Sequence, residues 1–150
     1  MIATGSAAPD FALPNQTRDI VRLSDFRGRR HVVLAFHPLA FTPVCSAQVQ
    51  SYDRAHAQFE ALNAEVLTIS TDNNPSKKAW GDALRVSCAM LSDFHPQGEV
   101  ARAYGVFGDY GLAQRAVVVV DTQGIVRWTA LYDMDDHPPV DDVLAALRAL

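Results

Sequence analysis

The chain has 150 residues, 49% of them hydrophobic, enough for one domain with a real core and too few for two. Lys and Arg number 13 against 17 Asp and Glu, so the formal net charge is −4, a balance that disfavours nonspecific binding to nucleic acid phosphates. No apolar run approaches the ~20 residues that cross a bilayer, and Met1 to Phe11 lacks the basic-then-apolar pattern of a secretory signal. The expectation is a single domain over residues 1–150, in a reducing cytoplasm, with no membrane or nucleic-acid partner. The two cysteines, Cys45 and Cys88, are too few for a disulfide-stapled scaffold.

In chain order, Pro9 to Phe26 predicts a small hairpin, with Phe11, Leu13, Ile20, Val21 and Leu23 around Asn15-Gln16-Thr17. His31 to Phe36 is a nearly continuous, β-branched apolar run, which suits a central strand covered on both faces. Pro38 and Pro43 bound a short loop. Cys45, Val49, Tyr52, His56 and Phe59 then recur at three- and four-residue steps, which predicts one amphipathic helix of about four to five turns. Pro43 suits its first turn and Thr42 its N-cap. Glu65 to Ser70 reads as a strand, Asn74 to Leu84 as a helix, Val86 to Leu91 as a third strand and Pro96 to Tyr104 as a short helix. Val117 to Val120 lacks alternation and reads as an internal strand, joined through Asp121-Thr122-Gln123-Gly124 to a hairpin partner from Ile125 to Ala130. Val140 to Leu150 closes the chain as an amphipathic helix. The fold class is α/β: a central mixed β-sheet flanked by helices, with an N-terminal β-hairpin, an order compatible with a thioredoxin-like core.

Chemistry concentrates at Phe36 to Cys45. This segment puts Cys45 in the first turn of a helix that follows a central strand, where unpaired amides and the positive dipole end favour an anion. The thiolate is the reactive form of cysteine. Thr42 stands three residues earlier, able to donate its hydroxyl proton to the sulfur or to a bound oxygen, and Pro38 can wall the pocket. On composition alone, Cys45 equally fits one more apolar residue on the helix stripe.

The pattern Pro-x-x-x-Thr-x-x-Cys, here Pro38, Thr42 and Cys45, resembles the active-site motif of the peroxiredoxins. Its context, Phe-His-Pro-Leu-Ala-Phe-Thr-Pro-Val-Cys, is similar to the one-cysteine AhpE-like subfamily and less so to the BCP/PrxQ group. The likeness extends over Ala8 to Leu13, Leu23 to Gly28, Leu91 to Phe94, Ala103 to Val106 and Arg115 to Asp121. It implies a thioredoxin-like fold and a thiol-dependent peroxidase that needs no cofactor and no metal. By that resemblance Cys45 is the peroxidatic cysteine, Pro38 and Thr42 are its motif partners, and Arg115 is the arginine that favours the thiolate and orients the peroxide. Pattern alone leaves Arg115 equally a surface residue at a strand end. The implied partners are a peroxide substrate, an external thiol reductant and a second copy of the chain in a homodimer. Aromatic residues near loops (Phe41, Phe94, Tyr104, Phe107 and Tyr110) are candidates for that contact, with domain core as the other reading. A thioredoxin-like module that senses peroxide or acts as a holdase without efficient turnover is the alternative.

Two positions depart from the family. Gln48 replaces the usual Glu three residues after the cysteine, which keeps a hydrogen bond and loses a charge. Gln50 stands where many PrxQ members carry a resolving cysteine. Cys88, placed by pattern in the third strand, fits a buried structural thiol better than a resolving one. His37 lies in the active loop, where tuning of Cys45 and ordinary packing are equally compatible with the sequence.

Overall fold

The computed structural model describes residues 1–150. A hairpin of β1 (Ala12–Pro14) and β2 (Ile20–Arg22) precedes the main sheet, and a 3-10 turn, Leu23–Phe26, links the two. The main sheet contains β3 (His31–Phe36), β4 (Ala64–Ser70), β5 (Ala89–Ser92), β6 (Arg115–Val120) and β7 (Val126–Tyr132), in the order β5-β4-β3-β6-β7. β3 pairs in parallel with β4 and β4 with β5, while β6 runs antiparallel to both β3 and β7. The sheet is therefore mixed. The helices are α1 (Pro43–Arg54), α2 (His56–Ala61), α3 (Asn74–Leu84), α4 (Glu99–Ala103) and α5 (Val140–Arg148). None is long and apolar enough to cross a membrane.

Strand parity sorts the core into two layers. Val32, Leu34 and Phe36 of β3 join Ala116, Val118 and Val120 of β6 in a cluster with the hairpin and α4. Val33 and Ala35 join Val117 and Val119 in the opposite cluster, with Tyr52 of α1, Phe59 of α2 and Val143, Leu144 and Leu147 of α5. Each large apolar side chain so buried contributes about 1.5–3 kcal/mol of transfer free energy. β3 and β6 are covered on both faces, as their unbroken apolar runs require.

Three elements differ from the sequence reading. The long helix is two: Ala55 leaves helical geometry (φ −88°, ψ 10°) between α1 and α2. Tyr52 and Phe59 still face one core, with ring centroids 6.0 Å apart, so the apolar period runs through a one-residue break that it cannot register. His56, counted in that stripe, is exposed. The third strand begins at Ala89, because Asp53 Oδ1 accepts the amides of Ser87 (2.9 Å) and Cys88 (3.1 Å) before the ladder starts. Cys88 thus precedes the strand instead of lying in it. The helix expected from Pro96 is confined to Glu99–Ala103, where Asp93 accepts the amides of Val100 and Ala101.

Candidate active site

β3 ends at Phe36, and the chain crosses the sheet edge through His37 to Thr42 before entering α1. Phe41 adopts a left-handed conformation (φ 64°), which turns this segment into the helix start. Thr42 is the N-cap residue in backbone terms (φ −104°, ψ 152°), and Pro43 opens the helix without an amide proton. The first helical bond runs from Ser46 N to Thr42 O at 2.9 Å, so the amides of Val44 and Cys45 precede the ladder. The Thr42 hydroxyl does not cap the helix. It donates to the Leu39 carbonyl at 2.6 Å and bonds neither a first-turn amide nor the sulfur, so the expected cap and the expected bond to the sulfur are both missing. Its proton is committed to the loop backbone and its lone pairs are left to accept.

Cys45 is fully buried, packed with Ala40, Val49, Trp80 and Met90. Pro38 is buried beside the same loop. The helix face below continues as Gln48, Val49 and Tyr52, all buried. Arg115 reaches this face by parity: it is the first residue of β6 and lies two before Val117, whose side chain points toward α1 and α5. It is 2% exposed, which excludes the surface reading. Its Nη2 donates to Cys45 Sγ at 3.3 Å and its Nη1 to Gln48 Oε1 at 2.7 Å. Nε and Nη2 also donate to the Met134 carbonyl, at 3.2 and 2.9 Å. The guanidinium is thus fixed from three sides with one edge on the sulfur. Gln48 keeps the family's hydrogen bond, as expected, but its Nε2 is buried without a partner.

His37, left open by the sequence, is fully buried with its ring 5.3 Å from that of Trp80. Burial pushes its imidazole well below the ordinary histidine range, and the nearby Lys77 and Arg115 cations push the same way. Lys77 was not singled out by any motif, yet it is fully buried behind the loop. The only trace in the sequence is its position three residues before Trp80 on the inner face of α3.

Cys88 is half-buried against the edge of the same apolar cluster and lines a small pocket with Tyr52, His56, Glu65 and Ser87. Burial pushes its thiol up to about 12, and the Asp53 carboxylate adds to the rise. Both cysteines are free thiols.

A family model described as AhpC/TSA matches residues 4–129. The chain belongs to the AhpC/TSA family, the peroxiredoxins. It is 37% identical over 153 residues to alkyl hydroperoxide reductase E of Mycobacterium bovis, covering 99% of this chain and all of that protein. It is 32% identical to a chloroplastic 2-cysteine peroxiredoxin of Chattonella marina, over 99% of this chain and 80% of that one. Among solved structures, peroxidoxin BcpB from Mycobacterium tuberculosis superposes with a TM-score of 0.88 at 34% identity, covering 100% of this chain and 99% of that one. Reduced Plasmodium vivax 2-Cys peroxiredoxin superposes with a TM-score of 0.91 at 28% identity, over 99% of this chain and 82% of that one. The fold is thioredoxin-like, and the chain is an oxidoreductase of the thiol-dependent peroxidase kind.

Proposed function

We propose that the peroxidase reaction runs on Cys45 with Arg115, Thr42 and Pro38 as its partners, that hydrogen peroxide and organic hydroperoxides are both substrates, and that the single domain 1–150 carries it. The observation that carries this reading is the 3.3 Å contact from Arg115 Nη2 to Cys45 Sγ in a water-poor setting at a helix N-terminus. There a guanidinium touches the sulfur in the first turn of a helix whose Val44 and Cys45 amides lie outside the ladder, the kind of positive setting in which a thiolate is the reactive form.

The Cys45 thiolate attacks one peroxide oxygen in line with the O–O bond. An S–O bond forms, the O–O bond breaks, and the departing hydroxide or alkoxide takes back from solvent the proton that the thiol released on ionising, to leave as water or alcohol. Sulfur is oxidised by two electrons to a sulfenic acid. Arg115, released from part of its bonding to Met134, stabilises the developing negative charge together with the Val44 and Cys45 amides. Thr42, its own proton on Leu39, accepts the hydrogen bond of the peroxide O–H. Pro38 packs the floor of the loop and keeps bulk water off the sulfur. Because Cys45 is covered, peroxide enters by displacement of the segment around Leu39 and Phe41, both exposed. That segment's apolar character suits an organic tail.

Regeneration is intermolecular: an external thiol attacks the sulfenic acid, releasing water and leaving a mixed disulfide that a second thiol reduces. Cys88 is a poor resolving group because its thiol stays protonated beside Asp53. The working assembly is a cytoplasmic homodimer. Leu39, Phe41, Phe94 and Tyr110 support the dimer: all are exposed, and all follow or precede strands at the edge of the sheet where β3, β4 and β5 end and β6 begins. Tyr104 belongs to the core instead, with its hydroxyl donating to the Pro9 carbonyl.

The test is multiple-turnover peroxide consumption with a panel of thiols. The wild type turns over repeatedly and Cys45→Ser consumes none. Peroxide loss that stops at one equivalent with every thiol would indicate a sensor, and retained turnover in Cys45→Ser would overturn the assignment.

A further inference from the structure

A second buried cation stands behind the reactive loop. Lys77 Nζ donates to Ser70 Oγ at 2.8 Å and to the Leu91 carbonyl at 3.0 Å, and lies 3.3 Å from His37 Nε2. Ser70 Oγ donates in turn to Asp72 Oδ2 at 2.7 Å, and the same oxygen accepts the Ala40 amide at 2.9 Å. A continuous chain of bonds therefore runs from α3, across the end of β4, to the backbone between Pro38 and Thr42. A parallel arm ends on His37, the residue before Pro38. An ammonium has three protons and here meets three acceptors. With Nε2 accepting, the His37 proton sits on Nδ1, a buried atom without a partner.

The charged and titratable groups around Lys77 come from every neighbouring element. His37 faces it from the loop after β3, Asp72 from the loop after β4, Asp93 from the end of β5, Cys88 from the approach to β5 and Cys45 from α1. Arg115 of β6 acts on the same His37 ring. Burial draws the ammonium down to about 7, against the opposing pull of Asp72, Cys45 and Asp93.

We propose that Lys77 is a positioning residue of the peroxide reaction, whose ammonium, acting through His37 and through Ser70, Asp72 and the Ala40 amide, fixes the Pro38–Thr42 segment and places a second positive charge behind the Cys45 thiolate. The proposal rests on Cys45 as the reacting sulfur. Coupling between the two charges is reciprocal: whatever Lys77 gives to the thiolate, the thiolate gives to the Lys77 proton.

The Nζ resonance of Lys77, followed by nitrogen NMR across pH in the reduced wild type and in Cys45→Ser, reads that coupling directly. Removal of the thiolate lowers the Lys77 midpoint by about 0.5 pH unit or more; identical midpoints overturn the proposal. A kinetic arm follows the rate of Cys45 oxidation by hydrogen peroxide from pH 6 to 9 in wild type and Lys77→Met. The wild-type profile carries a descending step near the Lys77 midpoint, and the variant is about tenfold slower below it, with the step gone. A variant with the wild-type rate and profile overturns the proposal as well. If Lys77→Met does not fold, the NMR comparison decides alone. If Cys45 were not the reacting sulfur, mass spectrometry of the oxidised wild type would place the added oxygen elsewhere, while the NMR comparison would still report on the Lys77–Cys45 pair.

Discussion

Cys45 and Cys88 touch the same apolar cluster, yet the ionic group closest to each has the opposite sign. Cys45 is the more deeply buried of the two and meets a guanidinium at 3.3 Å. Cys88 is partly exposed, and its nearest ionic neighbour is the Asp53 carboxylate, which already accepts its amide. Burial alone would make both thiols inert. The sign of the neighbouring charge separates them, together with the helix start that only Cys45 occupies. Under the proposed mechanism the less exposed sulfur is the nucleophile, and accessibility is then a poor guide to which one reacts.

The largest perturbation of this contrast is removal of the cation. Arg115→Met leaves Cys45 in the apolar cluster with no cation in contact with its sulfur, and kcat/KM for peroxide falls by about 10²–10³-fold, the usual cost of one preorganised donor at developing charge. Stopped-flow oxidation measures it. A fall of less than threefold would mean that the helix start and the more distant Lys77 activate the sulfur without the guanidinium.

The contrast sharpens next in alkylation. A thiol pushed up to about 12 is almost wholly protonated at pH 8, so iodoacetamide labels Cys45 first, and Cys88 gains reactivity only toward strongly alkaline pH. Asp53→Asn removes the carboxylate beside Cys88 and lowers the pH at which Cys88 becomes reactive, without altering labelling of Cys45. Peptide mapping over time checks both. Equal labelling of the two cysteines at pH 8 would break the contrast.

The smallest expected effect concerns Gln48. Gln48→Glu converts a bond between a cation and a neutral amide into an ion pair with Arg115 and removes the orphaned Nε2. The gain in stability is about 1 kcal/mol, read as a higher midpoint of thermal or urea unfolding. Peroxide reactivity falls a few-fold at the same time, because the new carboxylate offsets part of the guanidinium's charge at sulfur. An unchanged midpoint would mean that Gln48 Nε2 is already satisfied in solution.

Much of this was legible in the residues. The unbroken run His31–Phe36 and the run Val117–Val120 announce the two strands covered on both faces, and they are the centre of the sheet. Pro38, Thr42 and Cys45 mark the turn between β3 and α1 by their resemblance to the peroxiredoxin motif, and the parity of Arg115 with Val117 suffices to place its side chain on the α1 face once the strand is known. What escaped the sequence depends on tertiary packing. The shared core of Tyr52 and Phe59 hides the break at Ala55. The bonds from Asp53 delay the third strand past Cys88. Lys77 looks like any lysine on a helix until α3 docks and buries it, and His37 has meaning only once Lys77 is there to bond it.

The most direct test is mass spectrometry of the reduced protein treated with one equivalent of hydrogen peroxide in the presence of a sulfenic-acid trap. The adduct is expected on the peptide holding Cys45, with Cys88 recovered as a free thiol. Trapping at Cys88, or an intramolecular disulfide joining the two, would contradict the account.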